Sequence, residues 1–325
     1  MPRRRSGCAS ISLRICARMN VYLPIAELSA NMYYLLGLGG VAGLLSGLFG
    51  IGGGFLLTPM LIFIGIPPAV SVATSTNMIV ASSFSGFLSH HKRRGVDTKI
   101  GAYLIIGGLV GALIGVSIFL SLQKLGQIDL MITLLYVTLL CFVSALMIRE
   151  SASSLREVRQ PHLHQPIKPL TLPAWVQNLP MQRYFQRSNV KHSLLVPISI
   201  GVFSGILVGL LGVGGGFIMV PMMVYILGMP RDVTVGTSLF QIIFITAAAT
   251  VLHAVTTQTV DILLAAVLLV GSTIGAQFGV RIAHRLPHYL LRGLMAGLLL
   301  LVAARLAYGL FITPPEMFTL TILSK

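Results

Sequence analysis

Hydrophobic and polar positions fall in long blocks along this chain. Apolar segments run over about 32–50, 54–66, 69–89, 100–122 and 130–148, and again over about 194–212, 216–228, 233–255, 262–282 and 289–312. Apolar runs of roughly 18 residues or more read as helices that cross a bilayer. The pattern therefore predicts an all-α integral membrane protein. The segments at 54–66 and 216–228 are only about 13 residues long, too short to span at 1.5 Å per residue. They predict broken or re-entrant helices. If they do not cross, there are eight spans, four on each side of the central polar stretch. If they do, there are ten, and the two sets of five are inverted.

The two sets of segments match in order and spacing, and residue by residue. Gly47-Leu-Phe-Gly-Ile-Gly-Gly-Gly-Phe-Leu-Leu-Thr-Pro59 aligns with Gly209-Leu-Leu-Gly-Val-Gly-Gly-Gly-Phe-Ile-Met-Val-Pro221 at an offset of 162. After a one-residue shift, Ala73-Thr74-Ser75 aligns with Gly236-Thr237-Ser238 and His90 with His253. A second shift aligns Val96-Asp97 with Val260-Asp261, and Gly107, Gly111 and Gly115 with Gly271, Gly275 and Gly279. Two homologous halves are a common plan for transporters. The expected organisation is an N-terminal extension over 1–30, a transmembrane repeat over 31–149, an extramembrane connector over 150–192, a second repeat over 193–312 and a tail over 313–325. The extension begins MPRRRSGCASISLRICAR, with no good cleavage site after it, and Met19 reads as an alternative start.

Composition and charge narrow the function classes. Hydrophobic residues make up 55% of the chain and charged ones 10%, against about 25% in a soluble domain. Lys and Arg number 23 against 8 acids, for a net charge of +15. These cations lie between apolar runs, as in the loops of membrane proteins, and not on a polar surface that would bind nucleic acid. Three cysteines give no disulfide framework. No metal or cofactor motif is present, and no nucleophile–base constellation suggests an enzyme.

Four groups of residues could carry chemistry. Gly52-Gly53-Gly54 and Gly214-Gly215-Gly216 each separate a long apolar run from a short one. Each glycine inside a helix costs about 1 kcal/mol relative to alanine. Broken backbone at membrane depth is tolerated where it is buried in protein or lines a cavity. The expectation is two half-helix N-termini facing a small anion, with tight helix packing as the competing reading. Thr74, Ser75 and Asn77, with Thr237, Ser238 and Gln241, supply uncharged donors nearby; bonding to their own helix carbonyls competes. His90, His253, Asp97 and Asp261 lie near span ends, where they read as a proton relay or gate, or as loop organisers at the interface. The two runs of glycines at every fourth position read as packing ridges.

The eight acids, Glu27, Asp97, Asp129, Glu150, Glu157, Asp232, Asp261 and Glu316, all lie near span ends or in loops. A cation carrier usually needs an acid at mid-span, and an anion carrier does not. A membrane potential, negative inside, drives an anion outward with about 2.3 kcal/mol per charge per 100 mV.

On the duplicated GLFGIGGGFLLTP and GLLGVGGGFIMVP, the ATS and GTS that follow and the VD pairs, the chain resembles the sulfite exporter TauE/SafE family over about residues 30–312. The resemblance implies an inner-membrane, multi-pass permease that moves sulfite, sulfonates or related sulfur oxyanions, mostly outward. The expected partners are the lipid bilayer and a small sulfur-containing or carboxylate anion, with a homo-oligomer left open. The alternative is a membrane-embedded scaffold without transport activity.

Overall fold

The computed structural model describes residues 20–23, 25, 28–49, 54–92, 95–126, 128–159, 182–185, 190–258, 261–283 and 288–311. Ten helices lie among them. The first five are α1 (Met32–Phe49), α2 (Gly54–Phe63), α3 (Pro68–Lys92), α4 (Thr98–Lys124) and α5 (Ile128–Arg159). The second five are α6 (Leu195–Leu211), α7 (Gly216–Tyr225), α8 (Arg231–Thr256), α9 (Ile262–Ala283) and α10 (His288–Phe311). Two short antiparallel hairpins flank the halves: β1 (Asn20–Leu23) with β2 (Leu28–Asn31), and β3 (Gln182–Phe185) with β4 (Val190–Ser193). The second hairpin falls at the end of the expected extramembrane connector, and α5 continues past the predicted apolar run to Arg159.

Five stretches are long and apolar enough to cross a bilayer on their own: Thr98–Lys124, Ile128–Arg149, Val233–Thr256, Ile262–Gly279 and Gly293–Leu310. Their outward faces carry Ile106, Leu113, Phe142, Val270 and Leu301, all exposed. In lipid such side chains are already solvated. The helix pair α2 and α7 has ten residues each, about 15 Å, or half a bilayer.

Each half packs mainly against the other. The first helix of one half lies on the fourth helix of the other, α1 on α9 and α6 on α4, while α3 lies on α8 and α5 on α10. The glycine ridges make the first two contacts. A Cβ on Gly107, Gly111 or Gly115 would strike the carbonyl oxygens of Ile198, Val202 and Ile206 in turn, so α4 and α6 run parallel with their backbones touching. In the same way Gly271, Gly275 and Gly279 meet the carbonyls of Leu36, Gly40 and Leu44, and α9 runs parallel to α1.

The central pair has the opposite sense. The Thr250 hydroxyl donates to Thr76 Oγ1 at 3.1 Å, and Gly86, ten residues farther along α3, meets Leu239, eleven residues back along α8. Equivalent helices that meet antiparallel put the two halves in inverted orientation. The face on which α1 begins is here termed the near face. Helices α3, α5 and α9 also begin there, and α4, α6, α8 and α10 begin on the far face. Each half holds five helices, and α2 and α7, half a bilayer long, carry the chain back to the face on which the preceding helix began.

Candidate functional site

The break in the second half is fully described. Helix α6 ends at Gly212, whose φ of +64° lets its N–H cap the Val208 carbonyl at 2.8 Å. Gly214 and Gly215 follow with φ of +74° and +66°, a left-handed region that favours glycine. Helix α7 then starts at Gly216, and Ile218 and Met219 both donate to the Gly215 carbonyl, at 3.2 and 2.9 Å. The amides ahead of them form the open N-terminal turn of a half-helix, where backbone N–H groups and the positive dipole end favour an anion.

In the first half Gly52 and Gly53 lie outside the described residues, but Gly54 begins α2. The Ile79 side chain of α3 lies against Gly54 on one side and Gly214 on the other. The position a Cβ would take on Gly54 lies 3.6 Å from the Gly212 carbonyl oxygen. The two glycine motifs, 162 residues apart in sequence, are thus brought together in the interior, and α2 and α7 leave that point toward opposite faces.

Buried hydroxyl groups surround the end of α6. Tyr136 of α5 donates to the Leu211 carbonyl at 2.5 Å. Ser75 Oγ lies 2.6 Å from Thr58 Oγ1 and 3.4 Å from the Gly212 carbonyl oxygen. Across the break, Gln241 Nε2 donates to Ser204 Oγ at 3.2 Å, and both residues are buried. A Cβ on Gly215 would stand 2.5 Å from that serine oxygen. Thr58, Tyr136 and Ser204 were not singled out in the sequence. The signal for them lay in what the halves do not share: Thr58 aligns with Val220, and Ser204 with Ala42.

Other expected site residues stand elsewhere. Thr74 and Thr237 form a matched pair of cross-links between the halves. The Asp97 N–H donates to Thr237 Oγ1 at 2.9 Å, and the Asp261 N–H donates to Thr74 Oγ1 at 3.3 Å. Each aspartate also caps its own helix: Asp97 Oδ1 accepts from the N–H groups of Lys99 and Ile100, Asp261 Oδ1 from those of Leu263 and Leu264. Ser238 donates to the Val235 carbonyl, and Asn77 is half-buried. His90 and His253 lie in the last turns of the antiparallel α3 and α8, so they sit toward opposite faces. His253 is buried, with Nε2 2.9 Å from the Gly209 carbonyl oxygen and its ring edge-on to Phe119. The two histidines and two aspartates therefore do not join in one chain. No group of three metal-binding side chains occurs among the described residues.

The profile of the family described as Sulfite exporter TauE/SafE matches residues 35–306, which takes in both glycine motifs, eight of the ten helices whole and most of α1 and α10. The chain belongs to this family. The chain is similar to the probable membrane transporter protein YjnA of Bacillus subtilis (strain 168), 30% identical over 233 residues, covering 71% of this chain and 82% of that one. A probable membrane transporter protein of Xylella fastidiosa (strain 9a5c) is 26% identical over 214 residues, 65% of this chain and 70% of that one. Sulfite exporter TauE/SafE family protein 3 of Arabidopsis thaliana is 30% identical over 116 residues, 35% of this chain and 24% of that one. No solved structure matches. As a TauE/SafE chain, the protein is a multi-pass membrane transporter.

Proposed function

We propose that the protein is a permease that exports sulfite, a sulfonate or a related sulfur oxyanion across the inner membrane, through a site between its two halves. One observation carries the reading: the half-helices α2 and α7 start on either side of Ile79 and diverge to opposite faces. Such a pair directs two positive helix ends at one interior point without placing a fixed charge there. The surrounding groups are hydroxyls, an amide and backbone N–H groups, which suit an oxyanion that must bind and leave. The acids Asp97 and Asp261 are engaged as helix caps near the span ends, away from that point.

Labelled sulfite or sulfoacetate efflux from liposomes holding the purified protein tests this. Efflux should rise when the receiving side is made positive and fall when that side is made negative. Absence of flux for every sulfur and carboxylate anion tried would leave the scaffold reading in its place.

A further inference from the structure

The two halves are equivalent in backbone but unequal around their glycine breaks. At the second break, Ser204 of α6 and Gln241 of α8 meet beside Gly215. Their counterparts in the first half, by the same offsets of 162 and 163, are Ala42 and Met78. Both are fully buried, and both belong to one hydrophobic cluster with Leu57 and Leu61. Where the second half has a hydroxyl and an amide, the first half has hydrocarbon.

The amide is costly where it stands. Gln241 is 0% exposed, its Nε2 donates to Ser204, and its Oε1 has no hydrogen-bond partner. An unpartnered buried polar atom costs about 1–3 kcal/mol. Methionine, of similar length, fills the equivalent place in the first half without that penalty. Half of the Gln241 amide is therefore unmet, next to the open N-terminal turn of α7.

We infer that the transporter has one anion site rather than two symmetric ones, seated at the second break, and that the Gln241 amide is its specificity-determining side chain. This rests on the permease reading. Ser204 is a positioning residue. A half-turn of the amide lets the Ser204 hydroxyl donate to Oε1 and frees both N–H groups of Nε2. These and the backbone N–H groups at Gly215 and Gly216 form a directional donor set. Sulfite and sulfonates carry several oxygen acceptors on one centre and can accept from side chain and backbone together. A halide ion has no such spread of acceptors. The first break, where Met78 and Ala42 stand in place of the amide and the hydroxyl, serves as a wall or gate.

The test measures sulfite efflux kinetics from liposomes for Gln241→Met, Ser204→Ala and Met78→Leu, with chloride flux measured in parallel. Gln241→Met copies the first half into the second. It should raise the sulfite KM at least tenfold with a smaller change in maximal rate, and narrow the preference for sulfite over chloride. Ser204→Ala should raise KM by a smaller factor, about threefold. Met78→Leu should leave KM within twofold. An unchanged KM in Gln241→Met would overturn the inference, and so would an equal rise in Met78→Leu, which would assign the effect to packing. Should Gln241→Met fail to fold, Gln241→Asn keeps the amide but draws it back by one methylene, and a normal KM there overturns the inference equally. Wild-type protein that moves no sulfite or sulfonate is a separate result, and it removes the permease reading itself.

Discussion

At the residue scale, the paired cross-links Asp97–Thr237 and Asp261–Thr74 show how a matched motif can be structural. Each aspartate caps one helix and ties its own N–H to the central helix of the other half. Loss of an N-cap costs about 0.5–2 kcal/mol. Asp97→Ala should therefore lower the unfolding midpoint in detergent measurably, and Asp97→Asn, which keeps the accepting oxygen, should restore most of it. Efflux KM in folded Asp97→Ala should stay near wild type, since the carboxylate faces a helix end and not the breaks. The sequence made Thr74, Thr237, Asp97 and Asp261 legible as important, because they recur at fixed offsets. It could not say that they bond to one another, because each bond joins residues well over 100 positions apart. Thr58, Tyr136 and Ser204 escaped for the converse reason. A search for what the halves share passes over polar residues that only one half possesses.

At the scale of elements, glycine has two separate uses. On α4 and α9 it removes Cβ atoms so that a neighbouring helix can lay its carbonyls against the ridge. At 212, 214 and 215 it permits positive φ and turns α6 into α7. Spacing told these apart in the sequence, every fourth position against a consecutive run. The partner of each ridge was not legible, since small-residue ridges specify closeness and not identity. Gly37 gives the contrast: it is exposed, with no atom within 4 Å of a built Cβ. Gly111→Ala would drive its methyl into the Val202 carbonyl and should lose folded protein, whereas Gly37→Ala should be neutral or gain up to about 1 kcal/mol of helix stability. Thermal unfolding of the two variants side by side in one detergent checks both signs.

At the scale of the whole molecule, inversion of the halves reorders the charges. Of the 17 Lys and Arg between Met32 and Phe311, 15 fall on segments that join or end helices at the far face, and only Lys124 and Arg305 lie toward the near face. Arg281 and Arg292 fit poorly with an eight-span topology, but α9 ends and α10 begins on the far face, where α5 also ends. From the positive-inside rule we propose that the far face is cytoplasmic. In a chain with its native cysteines replaced by serine, Leu125→Cys in the exposed α4–α5 turn should react with a membrane-impermeant maleimide in intact cells. Thr98→Cys, exposed at the start of α4, should react only after permeabilisation. The reverse pattern would turn the molecule over and place the far face outside. Chain order was legible in the sequence, whereas chain direction was not, because a 13-residue apolar run alone does not tell a turn from a crossing. The exchange of first and fourth helices between halves also sets a timetable for assembly. Helix α1 leaves the ribosome early, yet the partner for its exposed backbone face, α9, follows some 230 residues later, roughly 10–50 s at usual synthesis rates. For that interval the nascent chain holds an unmatched helix in the bilayer, so the insertion machinery or a chaperone of the membrane has something to shelter.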